Sequence, residues 1–238
     1  MMQCLILAGG LGTRMKPTTR HLPKALIPVR GRPFAEWQLE WLKGQGVERV
    51  AFAVGHQGVQ IRDVLGDGQR FGLKISYSDE GGRLMGTAGA IRLAVDRGLL
   101  DERFLVLYGD SYLTVDVRAV WEAAARLGTP LMTVFKNDGR WDASNAAFAD
   151  GRVVRFEKGL DDPAAAGLRY IDYGLAVLPR DVIEAEVSPG QPHDLAAVYG
   201  RLAAAGRLRG FEVPTRFYEV GSPEGLAELD AHLAAASG

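Results

Sequence analysis

The 238-residue sequence predicts an α/β protein built on a doubly wound, mainly parallel sheet. Two short apolar runs carry that expectation: one around Cys4–Ala8 stops at Gly9-Gly10, and one over Arg103–Tyr108 stops at Gly109-Asp110. A continuous apolar run ended by a glycine turn reads as a strand buried on both faces. The third observation is the alternation of such strands with helical stretches as far as Phe135. That rhythm implies crossover helices and places ligands at the carboxyl ends of the strands, where both glycine turns fall.

The elements follow in chain order. After the first strand, Gly31-Arg32-Pro33 punctuates, and Phe34, Trp37, Trp41 and Leu42 recur at helical spacing until Gly44-Gln45-Gly46, so the tryptophans are expected to pack. Val47–Val54 reads as a strand, Gln57–Leu65 as a helix and Leu73–Tyr77 as a strand; Thr87 is placed to cap a helix through Val95. Arg103–Tyr108 is the next strand, Asp116–Leu127 a helix and Leu131–Phe135 a strand. The rhythm then changes: Ala146–Ala149, an Asp150-Gly151 turn and Arg152–Phe156 form a hairpin pattern, and Leu168–Leu178 a longer strand. Residues 137–178 are therefore expected to form a β-rich lobe within a single domain of residues 1–238. Asp194–Ala205 reads as a helix, Leu208–Val213 and Arg216–Val220 as strands, and Ser222-Pro223 as cap and first-turn proline of a closing helix.

Composition narrows the function classes. A formal net charge of -1 offers no general attraction to nucleic acid or to an anionic membrane, so phosphate chemistry must rely on local positive charge. Cys4 is the one cysteine, which excludes an intrachain disulfide and fits a reducing cytoplasm. No apolar run approaches a membrane span and no basic leader precedes the first strand, so neither membrane attachment nor a targeting segment is expected.

The stretch Gly9-Gly10-Leu11-Gly12-Thr13-Arg14-Met15-Lys16 combines glycines that let backbone N–H groups approach an anion with a hydroxyl and cations. It lacks the Gly-Lys-Ser/Thr ending of a P-loop, and the dinucleotide pattern fails because Met15 stands where its third glycine is required. Leu7-Ala8-Gly9-Gly10-Leu11-Gly12-Thr13-Arg14, followed by Pro23-Lys24-Ala25-Leu26-Ile27-Pro28-Val29, resembles the signature of the sugar-1-phosphate nucleotidylyltransferases. The resemblance implies a Rossmann-like fold of the nucleotide-diphospho-sugar transferase type with a small β-rich sugar-binding lobe. It also implies a Mg²⁺-dependent reaction of an NTP with a sugar 1-phosphate, giving an NDP-sugar and pyrophosphate, in a cytoplasmic enzyme that is a possible homo-oligomer.

Positions matching the family motifs supply the expected site. Leu7, Ala8, Gly9, Gly10, Gly12, Thr13 and Gly86 would surround the nucleotide, and Arg14 and Lys24 would hold its triphosphate. Asp110 resembles the family's metal-binding Gly-Asp position, and Glu219 stands where an Asp is usual, as second ligand for Mg²⁺. Phe156-Glu157-Lys158 resembles the Glu-Lys pair of the sugar site, with Lys158 on the sugar phosphate and Glu157, Asn145 and Gly174 toward the sugar. Arg14, Lys24, Asp110 and Lys158 form the expected catalytic set. Asp172 is left open between a sugar ligand and an ordinary strand residue.

The compact chain and its Tyr-Gly-Asp-Ser and Tyr-Glu-Val-Gly-Ser-Pro segments look most like the heptose-1-phosphate guanylyltransferases, which points to GTP. Two other functions fit parts of the pattern. A nucleotide-sugar sensor without catalysis would follow if Glu219 fails as a ligand, and a molybdopterin-type cofactor guanylyltransferase shares a similar glycine loop but fits the Pro-Lys-x-Leu-x-Pro segment poorly.

Overall fold

The computed structural model describes residues 1–10 and 22–236. Gly12, Thr13 and Arg14 of the expected nucleotide loop lie outside the described residues. In chain order the elements are β1 (Met2–Leu7), β2 (Pro28–Val29), β3 (Arg32–Pro33), α1 (Phe34–Gly44), β4 (Val47–Val54), α2 (Gly58–Leu65) and β5 (Lys74–Asp79). They continue through α3 (Gly86–Asp96), β6 (Arg103–Tyr108), β7 (Ser111–Tyr112), α4 (Val117–Leu127), β8 (Leu131–Lys136), β9 (Ala146–Ala149), β10 (Arg152–Phe156) and β11 (Tyr170–Pro179). The last are α5 (Arg180–Glu186), α6 (Leu195–Ala204), β12 (Arg209–Val213), β13 (Tyr218–Glu219) and α7 (Pro223–Ala236).

Nine strands make the main sheet in the order β5-β4-β1-β6-β11-β8-β12-β10-β9. The block β5-β4-β1-β6 is parallel, as the alternation with helices requires, and β11 enters antiparallel to both β6 and β8. Its direction has a simple cause. Between β8 and β11 the chain makes the β9–β10 hairpin and no crossover helix, and without a crossover a returning strand runs antiparallel. The β-rich segment 137–178 is thus continuous with the main sheet, with β11 at its centre.

Both faces of β1 are covered. Cys4 and Ile6 pack into a core with Leu39 and Leu42 of α1, Ile61 of α2 and Val120 of α4, while Leu5 faces Ile91 of α3, Ile183 of α5 and Leu202 of α6. Burial pushes the Cys4 thiol far up, consistent with a packing role. Trp37 and Trp41 also pack, Trp37 through an indole N–H donated to the Val29 carbonyl at 3.0 Å.

Local signals hold where they were clear. Asp150 and Gly151 have φ of 49° and 71°, the two positive values of a type I′ hairpin turn. Asp116 caps α4, and Ser222 Oγ accepts from Gly225 N at 3.0 Å at the start of α7. Thr87 differs from expectation. Instead of capping α3, its hydroxyl accepts from Leu195 N at 2.7 Å and donates to Asp194 at 2.9 Å, so it helps cap α6. Helix α5, seven residues directly after β11, has too few turns to show a periodicity and was not expected. Among the described residues no helix is long and apolar enough to cross a membrane.

Candidate active site

A cavity of about 360 Å³ opens at the carboxyl ends of β1 and β6. Leu7, Ala8, Gly9, Gly10, Lys24, Gly86 and Asp110 of the expected site line it, together with Ala53, Glu80, Leu84, Tyr108 and Gly109. Two glycines shape its floor. A Cβ on Gly109 would lie 2.4 Å from the Leu7 carbonyl oxygen, and its absence lets Gly109 N–H donate to that oxygen at 3.0 Å. A Cβ on Gly9 would meet Glu80 Oε1 at 2.4 Å, so the missing side chain makes room for a carboxylate that the sequence pattern did not single out.

Glu80 is the functional candidate that sequence reasoning missed. It follows β5 directly, and its Oε2 accepts from Met85 N–H at 2.6 Å, leaving Oε1 toward Gly9. Burial raises its pKa most, the Met85 N–H opposes that shift and nearby Asp79 adds to it. The available signal was its position at the end of a parallel strand, where ligands bind.

Charged groups gather at the other end of the cavity. Lys24 starts a single 3-10 turn, Lys24–Leu26, and its Nζ donates to Asp110 Oδ2 at 2.9 Å. Strand β7 pairs with β13, setting Glu219 opposite Ser111, while Val220 N donates to the Asp110 carbonyl at 2.9 Å. A Cβ placed on Gly221 would lie 3.7 Å from Lys24 Nζ and 3.8 Å from Glu219 Oε2. Lys24, Asp110 and Glu219 therefore converge, although the two carboxylates are distant in sequence. Among the described residues no group of three or more His, Cys, Asp or Glu side chains is placed to hold a metal ion. Two carboxylate ligands suit a hard cation such as Mg²⁺ that keeps waters and takes its remaining ligands from phosphates.

Gly86 has a φ of 67°, and a Cβ there would lie 2.5 Å from the His193 carbonyl oxygen. That oxygen accepts from Ala88 and Gly89 N–H at 2.9 and 3.2 Å, so the glycine seats the start of α3 against the segment before α6.

A second cluster borders the cavity behind Tyr108. Asp172 is buried, and its carboxylate accepts from the Tyr108 hydroxyl at 2.6 Å and from Gly174 N at 3.0 Å. Asn145 Oδ1 accepts from Asp172 N at 2.8 Å, and Lys158 Nζ lies 5.6 Å from the Tyr108 ring centre. Gly174 has a φ of 101° where the β11 register shifts, above Ser111 and Tyr108. Asn145, Lys158 and Gly174 are thus brought together. Glu157 joins them through its backbone, its N–H donating to the Asn145 carbonyl at 2.9 Å, while its exposed carboxylate is held by Arg155 at 2.7 Å.

Burial raises the Asp172 pKa above the ordinary 3.8, opposed by Lys158, Tyr108 and the Gly174 N–H. The folded protein therefore holds this proton to higher pH than the unfolded chain, so stability is lost as pH rises through the folded-state value. Asp172→Asn is expected to abolish that loss. In urea unfolding between about pH 4 and pH 7, the variant should gain on the wild type as pH rises and then level off. The wild type gaining on the variant instead would refute the burial argument.

Known proteins share this sequence pattern and fold. Residues 3–194 match the family model described as nucleotidyl transferase. The UTP–glucose-1-phosphate uridylyltransferase of Synechocystis is 29% identical over 209 residues, covering 82% of this chain and 53% of that protein. The D-glycero-alpha-D-manno-heptose 1-phosphate guanylyltransferase of Campylobacter jejuni is 38% identical over 116 residues, 49% of this chain and 51% of that protein. The chain spans about half the length of the curated relatives it matches first. Among solved structures, HddC from Yersinia pseudotuberculosis superposes with a TM-score of 0.79 at 26% identity, covering 98% of this chain and 100% of that one, and was also solved with GMP-PN. A match that runs from β1 to the cap of α6, through both ends of the cleft, makes this chain a member of the nucleotidyl transferase family.

Proposed function

We propose that the protein condenses a nucleoside triphosphate with a sugar 1-phosphate, forming an NDP-sugar and releasing pyrophosphate. A phosphate oxygen of the sugar attacks the α-phosphorus, and the bond to the departing pyrophosphate breaks. The observation that carries this reading is the Lys24–Asp110 pair at one end of a glycine-floored cavity, with Glu219 beside it. Reactions at phosphorus need positioning and charge neutralisation more than a protein nucleophile, and these residues supply both.

Backbone from Leu7 to Gly10 and at Gly86 encloses the nucleoside, and Lys24 supports the triphosphate, with Arg14 assigned to it from the sequence pattern. A Mg²⁺ ion held by Asp110 and Glu219 would supply charge neutralisation to the phosphate oxygens. Lys158 takes the sugar phosphate, and Asn145 and Gly174 face the sugar; Glu157 reaches it only by leaving Arg155.

The nucleotide is GTP and the acceptor a heptose or hexose 1-phosphate. Glu80 supports the base, because an ionised carboxylate only accepts hydrogen bonds, and guanine presents adjacent N1–H and N2–H donors. Uracil and thymine present one N–H between two carbonyls, which would face the carboxylate oxygens unfavourably. Similarity to the C. jejuni guanylyltransferase and to HddC points the same way.

Pyrophosphate release should be measured for each common NTP against a panel of sugar 1-phosphates, with and without a chelator. Turnover should be highest with GTP and disappear when divalent ions are removed; no release with any pair overturns the reaction. Glu80→Gln should lower the ratio of kcat/KM for GTP over UTP by about tenfold. An unchanged ratio would remove Glu80 from base selection while leaving the reaction standing.

A further inference from the structure

A second cavity, of about 780 Å³, lies at the opposite end of the sheet from the cleft. Asp101, Glu102 and Arg103 at the entry to β6, Trp121 of α4, Thr129 before β8, and Arg180 at the exit of β11 line it. Strand β6 runs from this cavity at Arg103 to the cleft at Tyr108, roughly 17 Å at the usual rise per strand residue.

Its side chains are unevenly satisfied. Among the described residues, Arg103 Nε, Arg180 Nε and Thr129 Oγ1 are buried polar atoms without a hydrogen-bond partner, and so is Nε of neighbouring Arg49. The Arg103 guanidinium carbon sits 4.2 Å from the Trp121 ring centre, so the indole covers one face of the guanidinium. None of the Arg103 guanidinium nitrogens meets an acceptor among the described residues. Asp101 is engaged instead by Arg49, which holds its carboxylate through Oδ2. Arg180 donates one terminal nitrogen to the Leu100 carbonyl, and the Glu102 side chain is exposed.

Burying donors without acceptors is costly, and three such atoms on residues that line one cavity call for an acceptor from outside the chain. Stacking fixes the guanidinium plane and leaves its edge for bidentate contact, the geometry that suits phosphate. We propose that this cavity is a second binding site, remote from the cleft, for a phosphate oxyanion, either free phosphate or the phosphate of a small metabolite. The terminal nitrogens of Arg103 and Arg180 and the Thr129 hydroxyl donate to it, and Trp121 forms the wall behind it.

The Trp121 indole gives a local readout. In the ¹⁵N-labelled full chain, its indole N–H resonance, assigned by Trp121→Phe, should be followed while inorganic phosphate and then glucose 1-phosphate are titrated. The signal should shift saturably in the wild type and in Lys24→Ala, whose cleft is impaired. In Arg103→Gln and Arg180→Gln the apparent affinity should fall by at least about tenfold. Tighter response to the sugar phosphate would identify a metabolite as the source, and tighter response to phosphate the free ion. No saturable shift with either probe, or equal affinity in both arginine variants, overturns the site.

Discussion

Asp110→Asn is expected to keep the fold and lose turnover by about a hundredfold or more, the scale of removing one group from an electrostatic site. The substitution preserves shape and removes charge. In the folded protein Asp110 accepts from Lys24 at 2.9 Å, with side-chain exposures of 33% and 22%, so the pair is only partly shielded from water. Losing such a pair changes stability by about 1 kcal/mol or less. The backbone around it stays anchored by Val220 N–H on the Asp110 carbonyl and by the β7–β13 ladder, neither of which needs the carboxylate. Urea unfolding and pyrophosphate release, measured together, check both halves. Wild-type-like turnover in a folded variant would mean that the phosphates are handled elsewhere, and gross unfolding would mean that the Lys24 pair is structural.

Gly86→Ala should produce the largest stability loss among the substitutions considered, about 3 kcal/mol, because two penalties coincide. A φ of 67° disfavours any side chain, and the new Cβ would sit 2.5 Å from the His193 oxygen. Relief by movement is blocked. His193 is held on both sides, by its N–H on the Met85 carbonyl at 2.9 Å and by Ala88 and Gly89 on its own oxygen. Gly82→Ala is the matched control, since its Cβ meets nothing within 4 Å and its φ is not in the left-handed range. Urea midpoints should fall for the first and barely move for the second. A small loss at Gly86 would show that α3 can shift away from the segment before α6.

Strand and helix positions were legible because the signals are local. Cys4, Leu5 and Ile6 form one unbroken apolar run, and the fold buries alternate members on opposite faces, as a strand covered on both sides requires. The Asp150-Gly151 turn and the Ser222-Pro223 start of α7 depend on residues within a few positions of each other, and both formed as the chemistry demands. The place of β11 between β6 and β8 depends on which distant strands it pairs with, which local periodicity leaves undecided.

The chain's own pattern determined the family, the glycine-stopped strands and the acidic position after β6, because each rests on a short contiguous segment. Tertiary structure alone decided two other things: that Glu80 occupies the space left by Gly9, and that Thr87 serves α6. Each is a contact between strand ends or helix starts far apart in sequence. Such pairings are set by the sheet order and by which backbone groups still need partners after folding, and no window of neighbouring residues contains that information.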